Sequence, residues 1–185
     1  PSVGLSGTLG NSFALFGHRA GLLLALTYSN SWDYDEEVLR FVRYDSETEE
    51  LDIRDEFDFE TATQNIVVGG ILTGGIELGE DHELAFTSMV NRVTDDINRV
   101  YTGFNRDAQT DIQVRRGRWL ERMLLVEQVT GEHAFGRLEL DWRYMYSRAS
   151  MDEPDRRETR YDYEREVDAF LFSSYAESNS RLYSS

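Results

Sequence analysis

The clearest structural signal in the sequence is the stretch Arg137-Leu-Glu-Leu-Asp-Trp-Arg-Tyr-Met-Tyr-Ser147. Apolar side chains occupy its even-numbered positions, from Leu138 to Tyr146, and mostly charged side chains occupy the odd-numbered ones. Because successive side chains of a strand point to opposite faces, this period of two predicts a β-strand. The predicted strand has one apolar face, which ends in aromatic residues, and one charged face.

Weaker strand patterns recur elsewhere along the chain. They cover residues 20–29, Gln64–Ile76, 83–91 and Trp119–Thr130. The glycine pairs Gly69-Gly70 and Gly74-Gly75 lie inside the second of these stretches, and we expect them to mark bends or close packing. Good helix formers over Gln113–Val129 leave a helix as the alternative interpretation of the last stretch.

Short turn signals separate these strands from longer polar stretches. The turn signals are Gly17-His18, Gly79-Glu80-Asp81-His82 and Gly131-Glu132-His133, and the polar stretches are 45–60, 94–110 and 149–166. Short turns alternating with long charged excursions predict an antiparallel meander of long β-hairpins. All three histidines lie in the turns, so we expect them to be polar turn residues held apart by roughly 10 Å, two strand spacings, rather than a metal triad.

Composition narrows the classes of function. The 185 residues include 19 basic and 35 acidic side chains, for a formal net charge of −16, and every basic residue is arginine. The absence of cysteine excludes disulfides, cysteine zinc sites and thiol catalysis, and the negative charge argues against a nucleic-acid partner. No catalytic triad order, phosphate loop or dinucleotide motif is present. We therefore predict no catalytic, cofactor or metal site, and a protein that is not an enzyme.

A basic cluster stands out against this acidic background. Arg115, Arg116 and Arg118 lie within four residues of one another. They are interpreted either as an ordinary charge cluster at a strand end or as the lining of a path for an anionic ligand.

The asymmetry between short turns and long polar stretches is typical of outer-membrane barrels. It predicts three sets of side chains, which follow from the alternation along each strand. The lipid-facing set is Leu22, Leu24, Leu26, Leu84, Phe86, Leu138 and Leu140. The aromatic belt is Tyr28, Trp32, Trp142, Tyr144 and Tyr146, because amphipathic rings favour the membrane interface. The lumen-facing set is Arg137, Glu139, Asp141 and Arg143.

Three segments together resemble the barrel of a TonB-dependent outer-membrane receptor. They are Trp119–His133, Leu138–Trp142 and Ser147–Arg157, and Gly17–Tyr28 resembles another hairpin of that family. The resemblance implies that residues 1–185 form about seven or eight strands of a partial transmembrane β-barrel, with the plug domain absent. It also implies a location in the cell outer membrane and a role in the uptake of a scarce ligand of the siderophore, vitamin or carbohydrate class.

The resemblance further implies a set of partners. These are TonB and its inner-membrane motor, reached through the missing plug, the remaining strands of the same barrel, outer-membrane lipid and lipopolysaccharide. No cofactor and no nucleic acid are expected. Two alternatives remain open: a complete eight-stranded outer-membrane barrel, and a soluble acidic β-sandwich that binds carbohydrate.

Overall fold

The computed structural model describes residues 2–45, 50–174 and 179–182. Its strands are β1 (Val3–Leu15), β2 (His18–Asp45), β3 (Glu50–Glu77), β4 (His82–Asn105), β5 (Thr110–Phe135), β6 (Leu138–Glu164), β7 (Ala169–Phe172) and β8 (Ser180–Leu182). They form one sheet in the order β1 to β7, with β8 paired to β6. The predicted all-β antiparallel meander of long hairpins is confirmed, and the sheet is open, with β1 and β7 at its two ends.

No described residue is helical, and no helix in these ranges has the length and hydropathy needed to cross a bilayer. The alternative helix over Gln113–Val129 is therefore wrong. These residues lie in β5, where alternate side chains serve the two faces of the sheet. Pairing with the neighbouring strands overrides their helix propensity.

The first hairpin shows how the sequence sets register. Leu5 pairs with Tyr28, Leu9 with Leu24 and Phe13 with Ala20, so the apolar positions of β1 and β2 share one face. The connecting turn is Phe16-Gly17, with φ of 52° and 82°. Two consecutive positive φ angles are the signature of a two-residue turn whose twist matches that of the flanking strands.

The predicted turn at Gly131–His133 is wrong. β5 continues through these residues to Phe135, and the chain turns at Gly136-Arg137, where Gly136 has φ of 69°. Gly131 is needed for packing instead, since the Trp142 ring fills the space that a Cβ on Gly131 would occupy. As a consequence, Arg137 lies in the turn and not on the strand face where we expected it.

The long polar stretches are strand rather than excursion. β4 and β5 are joined by residues 106–109, and β6 and β7 by residues 165–168, so 94–110 and 149–166 are mostly paired. Residues 50–60 lie in β3, and 46–49 fall outside the described part of the chain. Charged residues suit these strands because opposite charges pair across neighbours, as Arg40 of β2 does with Glu56 of β3 at 2.5 Å.

The chain divides into two compact units. Unit 1 comprises Pro1–Ser31, Asn65–Thr94 and Glu121–Met151, and unit 2 comprises Trp32–Gln64, Asp95–Leu120 and Asp152–Ser185. Among the described residues of unit 1, Ala20 is the one buried hydrophobic side chain. Unit 2 has a small core of Phe57, Ile112 and Val114, with Phe59, Tyr101 and Ala108 packed against it.

Candidate functional site

The apolar surface of unit 1 is the first candidate. It consists of Val3, Leu5, Leu9 and Phe13 of β1 together with the predicted lipid-facing set Leu22, Leu24, Leu26, Leu84, Phe86, Leu138 and Leu140. Strand register places the β1 and β2 members on one face. Glycines of β3 extend that face, because Gly70 lies against Leu26, and Gly74 lies against Leu22 and Phe86. The β1 members had not been predicted, although Val3 to Leu15 also alternates.

Three of the seven predicted lipid-facing residues and one member of the predicted aromatic belt line an apolar cavity of about 540 Å³. Leu22, Leu84, Phe86 and Trp142 line it, and Gly74 is one of the small residues that complete its lining. A Cβ on Gly74 would lie 2.6 Å from the Phe86 ring and 3.1 Å from Leu22. The glycine therefore leaves room for both side chains to pack against β3. The expectation of close packing at this glycine pair is confirmed.

Many side chains of this surface are exposed. Leu5 is 73% exposed, Leu9 74% and Leu138 63%. Soluble monomers rarely expose contiguous apolar patches of more than a few hundred Å², and larger patches mark surfaces that contact protein or membrane. Apolar side chains exposed singly are normal, so it is their alignment on one face that makes this surface a candidate site.

Histidine and aromatic side chains cluster near the turns of unit 1. The His82 and His133 ring centroids are 5.2 Å apart, and Phe135 lies 5.1 Å from His82. Trp142 Nε1 donates a hydrogen bond to His133 Nε2 at 3.1 Å, which makes that nitrogen an acceptor. The expected separation of these two histidines is wrong, because β4 begins where its neighbour β5 ends. Among the described residues, no group of three or more His, Asp or Glu side chains is placed to hold a metal ion.

One member of the predicted aromatic belt, Trp142, belongs to this cluster near the turns. Trp142 lies beside His133 and shares a cavity with Phe13 and Phe86. The shift of the turn to Gly136-Arg137 explains this placement, because β6 starts only at Leu138. Tyr144 and Tyr146 follow on β6 and are exposed, and Tyr28 pairs with Leu5 of β1. The remaining member, Trp32, belongs to unit 2.

Acidic side chains gather around a second cavity of unit 1, of about 620 Å³. The predicted lumen-facing residues Glu139 and Asp141 line it together with Glu77, Glu83 and Glu132, among others. Alternation puts Arg143 on the same face of β6 as Asp141. The structure thus brings the two predicted carboxylates together with partners from three other strands, which no local pattern had indicated.

Arginines of unit 2 surround a small cavity of about 200 Å³, here called the arginine cavity, which is lined by Ile97, Arg99, Arg116, Arg118 and Arg156. Two members of the predicted basic cluster thus share the cavity. The third, Arg115, lies on the opposite face of β5, with its guanidinium 5.3 Å from the centre of the Tyr161 ring. Sequence reasoning missed Arg99 and Arg156, because they belong to other strands and only sheet pairing brings them near.

The charged groups of unit 2 perturb one another. Hydrogen bonds from Arg157 and then Arg181 lower the pKa of Asp155, and partial burial opposes them. Burial raises the pKa of Tyr101, and the nearby Glu158 carboxylate raises it further. The first shift shows that the Asp155 carboxylate is stabilised in its charged form.

No protein-family model matches the chain, and no curated protein matches its sequence.

Proposed function

We propose that this chain is part of the β-barrel wall of a TonB-dependent outer-membrane receptor, which takes up a scarce small ligand. The observation that supports the proposal is the apolar surface of unit 1 on a sheet that has no second layer among the described residues. A soluble domain covers such a face with another layer of secondary structure. In an outer-membrane barrel, lipid covers it, and the opposite face meets water.

Strand length agrees with this proposal. A tilted strand crosses the bilayer core with about 9–11 residues, whereas β2 to β6 have 24 to 28 residues each. The residues beyond a crossing need a water-compatible environment. Unit 2 supplies charged and ion-paired side chains for it, and unit 1 supplies the stretches that would contact lipid.

Sheet topology favours a barrel segment over the two alternatives. A sandwich needs two sheets packed face to face, but the described strands form one sheet. A complete eight-stranded barrel needs its first and last strands to pair, but β1 pairs with β2, and the short β8 pairs with β6. The proposal accordingly includes further strands as partners at the ends of the sheet. TonB, its motor, lipopolysaccharide and the transported ligand remain partners implied by the resemblance.

Arginine substitution on the two faces of β2 tests the proposal. Leu26 belongs to the apolar surface, and Leu23 lies on the opposite face beside Gly10. A lipid-facing arginine near the bilayer centre costs roughly 2–4 kcal/mol. We expect Leu26→Arg to reduce association with phospholipid vesicles strongly and Leu23→Arg to reduce it little, as measured by vesicle co-flotation and protease protection. Equal insertion of both variants, or a wild-type chain that stays monomeric in buffer without lipid, would contradict the proposal.

A further inference from the structure

We propose that the arginine cavity of unit 2 binds a small multivalent oxyanion of the carboxylate or phosphate class. The inference deepens the proposed function, on which it rests for the identification of this anion as the transported ligand. Four of the five residues that line the cavity are arginines, although the chain as a whole carries a net charge of −16. They come from three neighbouring strands, β4, β5 and β6, so the fold and not a local run of sequence assembles them.

The four arginines of the cavity differ in whether they have a carboxylate partner. Arg116 forms an ion pair with Glu158 at 2.6 Å, and Arg118 forms one with Glu153 at 3.1 Å. Arg99 donates instead to the neutral Thr61 hydroxyl at 3.1 Å. Arg156 forms no ion pair with any residue that the structure describes. Two of the four guanidinium groups therefore have a carboxylate partner among the described residues, and an anion would provide one for Arg99 and Arg156.

Three of the four arginines are also held in place before any ligand arrives. The Arg99 guanidinium lies over the Phe59 ring at 5.7 Å, and the Glu158 and Glu153 carboxylates fix Arg116 and Arg118 from one side. A guanidinium has five donors in a planar fork, so one carboxylate leaves donors free for a second acceptor. Such a fork matches the paired oxygens of carboxylates and phosphates.

The size of the cavity limits the ligand. Its volume of about 200 Å³ is below the roughly 300–1,000 Å³ of pockets that enclose drug-sized molecules. It suits a compact anion, or one anionic group of a larger molecule. Ile97 is the one apolar side chain in the lining, so charge rather than apolar contact selects the ligand.

Titration of the whole chain in non-ionic detergent tests the inference. The probes are inorganic phosphate, succinate as a dicarboxylate, and glycerol as a neutral control, and the readout is the heat of binding. We expect saturable binding of at least one oxyanion, weakened by added salt, and none of glycerol. The anionic probe that binds with the higher affinity identifies the class of ligand, phosphate or carboxylate.

Variants separate the cavity from general charge effects. Arg99→Gln and Arg156→Gln each remove a cation without a carboxylate partner, and each should weaken binding about tenfold or more, as expected for a charged hydrogen bond. Arg115→Gln is the matched control, because it removes a neighbouring arginine on the opposite face of β5 and should leave affinity unchanged. Glu158→Gln releases Arg116 and should strengthen binding, which a misfolded variant would not do.

Three results would overturn the inference: no binding of either anion to the wild-type chain, unchanged affinity in Arg99→Gln and Arg156→Gln, or an equal loss in Arg115→Gln. These results are independent of membrane insertion. If the chain binds the oxyanion but the Leu26→Arg comparison fails, the anion site is supported and the receptor proposal is contradicted. If the chain inserts but binds neither anion, the receptor proposal is supported and the anion site is contradicted.

Discussion

Both units expose large apolar side chains, but the described residues of unit 1 bury one hydrophobic side chain, Ala20, whereas those of unit 2 bury Phe57, Ile112, Val114 and Leu120. The ranges of unit 2 also contain more than twice as many charged residues as those of unit 1. Most of the ion pairs between described residues, among them Arg116–Glu158 and Arg118–Glu153, lie in unit 2.

The contrast between the two units runs along single strands. β2 to β6 each contribute residues to both units, and the composition of each strand changes where it passes from one unit to the other. Unit 2 holds a core and paired charges, which are stable in water. On the proposed function, lipid covers what the single sheet of unit 1 leaves exposed. The following substitutions compare the two units directly.

Core truncation should give the largest difference. Ile112 of unit 2 is 3% exposed, so Ile112→Ala should destabilise the chain by about 2–5 kcal/mol through lost burial and a new cavity. Leu9→Ala in unit 1 removes a side chain that is 74% exposed and should cost much less. Urea unfolding of the detergent-bound chain measures both. An equal loss of unfolding free energy in the two variants would show that detergent buries Leu9 as fully as protein buries Ile112.

Glycine substitution should give the next largest effect. A Cβ on Gly103 of unit 2 would collide with the backbone carbonyl of Glu56, whereas the atoms nearest to one on Gly131 of unit 1 belong to the Trp142 side chain. A side chain can rotate away more easily than a backbone can move. We expect Gly103→Ala to cost about 1–3 kcal/mol, as overpacking usually does, and Gly131→Ala to cost less.

Gly7→Ala is the control for this comparison. Nothing lies within 4 Å of the position that its Cβ would take, and replacing a strand glycine usually adds roughly 0.5–1 kcal/mol of stability. Unfolding midpoints in urea rank the three variants. A lower midpoint for Gly131→Ala than for Gly103→Ala would contradict the prediction.

Local periodicity was sufficient to predict most of the fold. Alternation at Leu138–Tyr146 and 20–29 correctly indicated strands, and turn signals at Gly17 and Gly79 marked real hairpin ends. The error at Gly131 has a physical origin, because a glycine can serve a turn or make room for a neighbouring ring. The sequence does not reveal that Trp142 of the next strand lies there.

The arrangement of the candidate sites was predictable only in part. Arg116 and Arg118 were visible as a local cluster, but Arg99 and Arg156 join them through the pairing of β4, β5 and β6. The charged stretches had been interpreted as excursions because polarity usually signals loops. In unit 2, pairing between oppositely charged neighbours lets such sequences form strands instead.

Ion pairs should give a smaller effect that distinguishes buried from exposed charges. The Arg40 and Glu56 side chains are 56% and 46% exposed, and those of Arg116 and Glu158 are 36% and 26% exposed. We expect a double-mutant cycle to give the first pair a weak coupling that is lost in high salt. The second pair should couple more strongly and lose less of its coupling in salt. The reverse order would indicate that burial does not strengthen pairing in this unit.

The smallest expected effect concerns Asp155 and the short strand β8. Arg181 of β8 donates to Asp155 of β6 at 3.2 Å, and the pKa of Asp155 is lowered by its arginine partners, Arg157 first. A carboxylate with a lowered pKa stabilises the fold above its ordinary value of about 3.9, and this contribution is lost as the pH falls through the lower value of the folded state. Asp155→Asn should therefore increase amide exchange in Ser180–Leu182 relative to the wild-type chain at neutral pH, and this difference should disappear as the pH falls through the lowered pKa of Asp155. Asp152→Asn, on the same strand, is the control and should change neither. A difference between Asp155→Asn and wild type that persists in acid would show that a role other than charge pairing holds β8 in place.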